Sequence, residues 1–330
     1  MIKIDRGPAP LTIRAFAAAT VKDDDDGTII TRNERERRRA RAFHLAPANF
    51  AKNKKLTKKS FEFAIYKDRE LAQELDRVFG TKCAYCESNF GAVTPDDVEH
   101  FRPKSAITTD SGDVYPGYYW LASEWSNLLV ACRDCNAGRY FEVPGQPAEV
   151  RLGKLTQFPL SDEAHRYRGP GPGIGGELPA QLLLDPCTDE PSVHLTWDED
   201  GLIHAKPTPE GEPSPKGRHS IAVYALQRKG LVEARLETLL NFRRHVRSLQ
   251  KALVRLNNAA ARDDAAACND ELETIKELKE AIIGMLGVKV PPGTRQPSYV
   301  GMLRDWIRTR QAAGGFVDLE QFGIDLLRFV

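Results

Sequence analysis

Two closely spaced pairs of cysteines are the residues of this sequence whose types and spacing point most directly to chemistry. Cys83 and Cys86 form the first Cys-x-x-Cys pair, and Cys132 and Cys135 form the second. Tetrahedral zinc takes four thiolates, and a two-residue spacing lets neighbouring cysteines bind one ion. Disulfides and a redox pair are alternatives, although a redox site needs only one isolated pair. We therefore predict that the four cysteines hold a structural Zn²⁺ ion.

A second set of polar residues lies between and beside the cysteine pairs. Glu99 and His100 are followed by a proline, which excludes a helix there, so the run that ends at His100 is expected to be extended. Asn127 precedes the second pair, and Asn136 follows it directly. A strand, a loop, a second strand and a helix in this order would bring Asn136 back to His100. If that helix begins at the second cysteine pair, Asn136 and Arg139 share one of its faces.

These residues together resemble the HNH endonucleases, in which an acidic-histidine element, a middle asparagine and a third element surround a catalytic metal ion. More narrowly, the chain resembles the HNH nuclease subunit (PtuB-like) of Septu-type antiphage systems, which is also found beside retrons. The resemblance spans roughly residues 80–245. The segments that carry it are residues 83–87, 98–104, 119–125, 158–160, 182–187, 193–203 and 224–235.

The resemblance implies an α+β fold, with a ββα-metal (HNH) core and a four-cysteine zinc knuckle embedded in a mainly helical chain. It implies that His100 acts on water as a general base, while Asn127 fixes the loop between the two strands. Asn136, with Glu99 as a second ligand, is expected to hold a catalytic Mg²⁺ or Mn²⁺ ion. The residues expected to contact phosphate are Arg102, Lys104 and Arg139.

Three positions depart from the common HNH pattern. Asn136 replaces the histidine of the third element, and its hard carbonyl oxygen favours magnesium or manganese over softer metals. Glu99 stands where many of these enzymes have aspartate, so the longer side chain leaves its role as a ligand open. Arg139 replaces a common lysine and adds a fork that suits phosphate.

Composition and charge limit the classes of protein to be considered. The chain has 330 residues, of which 41% are hydrophobic and 28% charged, as in globular proteins, and it lacks an apolar run long enough to cross a membrane. With cysteines arranged for metal and no secretory signal pattern, we expect a cytoplasmic protein. The net charge is +1, but residues 31–60 carry eleven Lys or Arg against two Glu. Residues 81–140 carry five basic against eight acidic residues, so phosphate attraction must come from elsewhere.

Periodicity and turn residues predict three parts. Residues 1–55 would contain a strand over residues 1–6 and a basic arm over residues 32–41, which is alternatively an exposed helix face. Residues 56–165 would form the nuclease domain, beginning with a helix over residues 57–79 that ends at Gly80. Residues 166–330 would combine short strands near residues 182–184, 193–197 and 202–205 with a helical hairpin that docks a partner.

The sequence thus predicts a metal-dependent endonuclease that hydrolyses phosphodiester bonds, with double-stranded DNA as the expected substrate. The resemblance also implies an ATPase partner (PtuA-like), and the chain contains no Walker loop of its own. An RNA-cleaving HNH toxin uses the same residues and stays open as an alternative. A non-catalytic zinc-knuckle adaptor for nucleic acid or protein would need the cysteines but not His100 and Asn136.

Overall fold

The computed structural model describes residues 1–9, 18–23, 26–46, 49, 61–91, 97–109, 112–169, 172–288, 290–291 and 294–330. Within them the strands pair as two-stranded antiparallel ribbons, namely β1 with β2, β3 with β6, β4 with β5, β7 with β8, and β9 with β10. The strands are β1 (Thr20–Lys22), β2 (Ile29–Thr31), β3 (Asp97–His100), β4 (Ile107–Thr109), β5 (Gly112–Val114), β6 (Leu128–Ala131), β7 (Arg139–Phe141), β8 (Val150–Leu152), β9 (Leu195–Trp197) and β10 (Ile203–Ala205). The helices are α1 (Arg32–Leu45), α2 (Arg69–Phe79), α3 (Arg133–Asn136), α4 (Pro191–His194), α5 (Pro215–Val223), α6 (Lys229–Ala260), α7 (Ala265–Met285), α8 (Val300–Ala312) and α9 (Val317–Gln321). The chain is therefore mixed helix and strand, as predicted.

The N-terminal part differs from the predicted strand and arm. Residues 1–6 form no strand; the Ile4 amide instead donates a single hydrogen bond of 2.8 Å to the Pro186 carbonyl. The basic run lies in α1, which the Thr31 side chain caps by accepting a hydrogen bond from the Glu34 amide. Ala40 of this helix is fully buried, so one face packs against the protein and the charged residues occupy the rest.

The helix predicted over residues 57–79 begins only at Arg69. Residues 51–60 lie outside the described part of the chain, and Ile65–Lys67 form a short 3-10 turn. The Asp68 carboxylate then accepts hydrogen bonds from the Glu70 and Leu71 amides, and this N-cap starts a separate helix. Its end is as predicted, because Gly80 adopts the left-handed conformation at φ +61°.

A buried strand pair forms the centre of the region that carries the candidate site. In the ribbon of β3 and β6, Glu99 pairs with Leu129 and His100 with Leu128. All four residues of β6 are buried, and α2 covers this strand. Beyond the strand pair, the ring of Tyr85 stacks on Tyr224 with centroids 3.8 Å apart, which joins the first cysteine pair to the C-terminal half.

The C-terminal half contains the predicted ribbon and helical hairpin. Strands β9 and β10 are joined by a turn in which Gly201 has φ +80°, whereas the predicted strand at residues 182–184 does not form. Helices α6 and α7 pack against each other along their length, and Arg255 bonds Glu271 across the hairpin at 2.5 Å. Among the described residues, no helix is both long and apolar enough to span a membrane. The division into three parts stays a prediction.

Candidate metal centre and active site

The four cysteines predicted to bind metal meet in the interior. All four are buried, and their sulfur atoms lie within 4.8 Å of one another. Cys86 Sγ and Cys132 Sγ are 3.7 Å apart, which is too long for a disulfide of about 2.05 Å. A tetrahedron with Zn–S bonds of about 2.3 Å has sulfur–sulfur edges of about 3.8 Å. The cluster, here called the knuckle, can therefore hold a structural metal ion such as zinc.

Local backbone bonds hold each half of the knuckle in shape. The Glu87 amide donates to the Cys83 carbonyl and the Cys83 amide to the Ser88 carbonyl, each at 3.0 Å. Short turns of this kind aim both side chains of a Cys-x-x-Cys pair to one side. The Ala84 amide donates to the Val130 carbonyl of β6 at 2.9 Å, so the first turn is tied to the strand pair.

His100, the last residue of β3, is buried and has hydrogen-bonding partners at both ring nitrogens. Its Nε2 lies 2.9 Å from the Ala122 carbonyl oxygen, and its Nδ1 lies 3.2 Å from Lys104 Nζ. Because a carbonyl only accepts, the proton belongs on Nε2, and Nδ1 keeps its lone pair. The Tyr66 ring packs edge-on against the imidazole, with centroids 4.6 Å apart. Burial, followed by the charge of Lys104, lowers the pKa of His100 to about 3.

Lys104 is held between the imidazole and an aromatic ring. Its Nζ lies 4.5 Å from the centroid of Tyr66, within the range of a cation–π interaction. Burial lowers the pKa of Lys104 to about 8, which keeps it mainly charged at neutral pH. Tyr66 was not identified from the sequence, where it stood within a stretch interpreted as one long helix.

Glu99 has a different set of partners from its neighbour His100, as alternation along a strand requires. Its Oε1 lies 2.6 Å from Lys154 Nζ and 3.4 Å from the Tyr85 hydroxyl. Lys154 is fully buried and also donates to the His100 carbonyl oxygen at 2.9 Å. Sequence reasoning missed Lys154, since no motif in the sequence marks it.

Asn127 fixes the path between the two strands. Its Oδ1 accepts from the Arg102 amide at 2.8 Å, and its Nδ2 donates to the carbonyls of Arg102 and Leu121 at 3.1 and 3.2 Å. The Phe101 amide donates to the Asn127 carbonyl at 2.9 Å. The buried amide thus binds three backbone groups, and its contacts are those of a residue that shapes the loop.

Asn136 and Arg139 make contacts of their own, apart from His100. Asn136 ends α3, and its carbonyl accepts from the Leu155 amide at 2.7 Å. Arg139 does not share that helix face, because Ala137 is already extended and Arg139 starts β7. It is exposed and pairs with Asp134 at 2.5 Å. In the described residues no hydrogen bond joins Asn136 or Arg139 to His100.

The guanidinium of Arg102 points into the protein. Its Nε donates to the Glu177 carboxylate and its terminal nitrogen to the Gln181 side chain, both at 2.9 Å. Glu177 is fully buried and also accepts from the Tyr118 hydroxyl at 2.6 Å. These bonds tie the segment after His100 to residues 177–181, and Glu177 is a second buried residue that sequence reasoning missed.

These features define a mixed helix-and-strand protein in which a buried four-cysteine centre adjoins a strand ending in a buried histidine. The chain is similar to the Septu protein PtuB of Bacillus mycoides (strain KBAB4), with 42% identity over 177 residues, covering 53% of this chain and 52% of that protein. It is also 28% identical over 174 residues to the Septu protein PtuA of that strain, covering 52% of this chain and 21% of PtuA. The chain thus spans about half the length of PtuB and about a fifth of PtuA. No protein-family model matches it. The similarity confirms the predicted resemblance to PtuB-like Septu proteins.

Proposed function

We propose that the chain is the HNH endonuclease subunit of a Septu-type antiphage defence complex, cutting phosphodiester bonds in double-stranded DNA. The observation that carries this proposal is the arrangement of His100, whose Nε2 is fixed by the Ala122 carbonyl while Nδ1 keeps its lone pair. A general base needs such a fixed tautomer, with a lone pair on the other nitrogen that can accept a proton. The similarity to PtuB supports the same assignment. The order of β3, β6 and α3 supports a ββα core.

In the proposed reaction, water gives a proton to His100 Nδ1 as its oxygen attacks phosphorus in line with the leaving oxygen. The bond from phosphorus to the leaving oxygen breaks, and that oxygen takes a proton from solvent. Lys104 must first leave Nδ1, which it occupies at 3.2 Å. An entering phosphate would draw the Lys104 ammonium away and offset the cost of a buried imidazolium. Lys104 thus contributes to phosphate binding by the same movement that frees the base.

Asn136 and Glu99 would supply the oxygen ligands of a catalytic Mg²⁺ or Mn²⁺ ion. The Asn136 side chain offers a carbonyl oxygen, the donor type that these ions prefer. Such an ion would stabilise negative charge on the phosphate and on the leaving oxygen. Glu99 would have to exchange its 2.6 Å contact with Lys154 to join it. We therefore propose Asn136 as the main ligand of the ion and Glu99 as a second ligand.

The other predicted roles follow from exposure and pairing. We propose that exposed Arg139 contacts phosphate, while Arg102 stabilises the loop through Glu177. The knuckle would hold structural Zn²⁺, which contributes folding free energy and no chemistry. Exposed Arg244, Arg247 and Lys251 lie on α6, and this basic side of the helix is the proposed docking surface for a PtuA-like ATPase. RNA remains the substrate of the alternative, toxin-like function.

His100→Ala tests the proposed function directly. General-base catalysis contributes about 10² to 10⁴ in rate, so cleavage of linear DNA should fall by at least about 10², with metal content and fold retained. His204→Ala, which removes an exposed histidine elsewhere, is the matched control and should cut normally. Asn136→Ala should lose activity that excess Mg²⁺ or Mn²⁺ partly restores. Cleavage by His100→Ala within a few-fold of wild type, on DNA and RNA alike, would exclude this mechanism.

A further inference from the structure

A buried arginine from the C-terminal half touches the knuckle. The Arg228 guanidinium donates to Cys135 Sγ and Cys86 Sγ, each at 3.5 Å, and lies 3.9 Å from Cys132 Sγ. Arg228 stands at the N-cap position of α6 and is only 6% exposed. It is 93 residues from Cys135, the nearest knuckle cysteine in sequence, and this spacing gave no sequence signal.

Several contacts fix this guanidinium in one orientation. One terminal nitrogen also donates to the Ala225 carbonyl at 2.9 Å, and Nε lies 3.7 Å from the Asp134 carboxylate. The guanidinium carbon lies 5.9 Å from the centroid of the Phe141 ring. A fixed fork of N–H groups directed at several sulfurs is a specific arrangement, because a flexible surface arginine would not be buried against thiols.

Charge gives a reason for this arrangement. Four thiolates around a divalent ion carry a net charge of about −2, which is costly to bury without a compensating cation. The N-terminus of α6 adds a partial positive charge on the same side. Arg235, two turns further along α6, is 1% exposed and is held by the Leu226 carbonyl at 2.7 Å. The start of α6 thus supplies positive charge that offsets the negative charge of the metal-bound knuckle.

We propose that Arg228 is the positioning residue of the knuckle metal, so that metal binding and docking of the start of α6 are one linked event. Its N–H groups stabilise the thiolates that bind the ion, and the loaded knuckle in return holds α6 in place. Removal of the ion would loosen the four sulfurs that the guanidinium contacts and would weaken this contact. The inference rests on the metal binding proposed above and is independent of nuclease activity.

Zinc release gives the first test. Zn²⁺ loss to the chromophoric chelator 4-(2-pyridylazo)resorcinol is measured for wild type, Arg228→Met, Arg228→Lys and Lys229→Met. Loss of an outer partner of a metal ligand typically costs about 10- to 100-fold in metal affinity, so Arg228→Met should release zinc at least about 10-fold faster. Arg228→Lys keeps the charge without the fork and should lie between. Lys229→Met removes the adjacent exposed charge, which pairs with Glu142, and should match wild type.

Cobalt spectroscopy separates this role from general stability. In the Co²⁺-loaded protein, loss of N–H···S bonds should shift the sulfur-to-metal charge-transfer band in both Arg228 variants and not in Lys229→Met. Chelation of wild type should also increase amide hydrogen exchange at residues 229–236. Wild-type release rates with an unshifted band in Arg228→Lys, which retains a cation and folds most readily, would overturn the inference. Wild-type protein that binds neither Zn²⁺ nor Co²⁺ would instead overturn the metal site itself.

Discussion

Lysines, more than carboxylates, set the charge around the candidate base. Lys104 lies on the Nδ1 side of His100, and Lys154 lies below its backbone carbonyl. Burial, Lys104 and Lys154 all lower the pKa of His100, so its neutral form prevails. Glu99 balances Lys154 and leaves Lys104 as the cation that an incoming phosphate can engage. Glu99 and His100 thus depend on Lys154, a partner that the sequence did not identify.

Lys154→Met is expected to destabilise the protein because it leaves the Glu99 carboxylate buried and unpaired. Breaking a buried pair in this way costs about 3–5 kcal/mol of unfolding free energy. Adding Glu99→Gln should restore much of that loss, since the remaining amide carries no charge. Urea denaturation of the single and double variants measures the difference. A loss below about 1 kcal/mol for Lys154→Met would mean that water reaches the pair.

At the scale of elements, helix α1 separates its arginines onto two sides. Arg37, Arg38 and Arg41 border a pocket of about 390 Å³ whose wall includes Tyr119 and Trp120. That wall runs to Leu121, one residue before the carbonyl that holds His100. On the other side, the residues that border a separate pocket of about 470 Å³ include Arg32, Arg35 and Arg39. The basic run is therefore two surfaces, of which one adjoins the candidate site.

Arg41→Gln is expected to weaken DNA binding more than Arg39→Gln, although each removes one charge from the same helix. Arg41 is exposed beside the site, and Arg37 there already pairs with Glu124. The plot of log K against log salt has a negative slope. Loss of one phosphate contact reduces the magnitude of this slope by about one. Fluorescence anisotropy over a range of KCl concentrations, in a His100→Ala background that leaves DNA intact, gives both slopes. Equal slopes for the Arg41 and Arg39 variants would mean that the overall charge of the helix, and not one of its sides, attracts DNA.

The elements that the sequence predicted correctly are those with local signals. The cysteine pairs, the strand ending at His100 and the seam of α6 each show their spacing within a few residues or turns. The predicted start of the helix over residues 57–79 was wrong, because the Asp68 N-cap begins the helix at Arg69 although the apolar pattern starts earlier. Lys154 and Arg228 could not be predicted, since long-range packing alone brings them to the site. Arg139 was misplaced because α3 stops after one turn.

At the scale of the whole molecule, one buried core connects the three parts predicted from the sequence. Buried apolar residues from Met1 to Leu326 form a single cluster. Tyr85 of the knuckle and Tyr224 of the C-terminal half are fully buried and stack at 3.8 Å, with their planes 10° apart. The Glu87 carboxylate accepts from the Gly301 amide at 3.2 Å, which joins the knuckle to α8. Continuous packing of this kind favours folding as one unit.

Tyr224→Ala should therefore destabilise the whole protein in one transition. The substitution removes the ring that stacks on Tyr85 and the hydroxyl that donates to the Leu184 carbonyl at 3.0 Å. Truncation of a large buried aromatic residue costs about 3–5 kcal/mol, and the cavity would lie against the knuckle. Denaturation of Tyr224→Ala, followed by both tryptophan fluorescence and zinc release, should give two coincident curves that are shifted together relative to wild type. Tyr140→Ala changes an exposed residue and should shift neither curve. Two separate transitions in wild type, with Tyr224→Ala moving only one, would instead support independent domains.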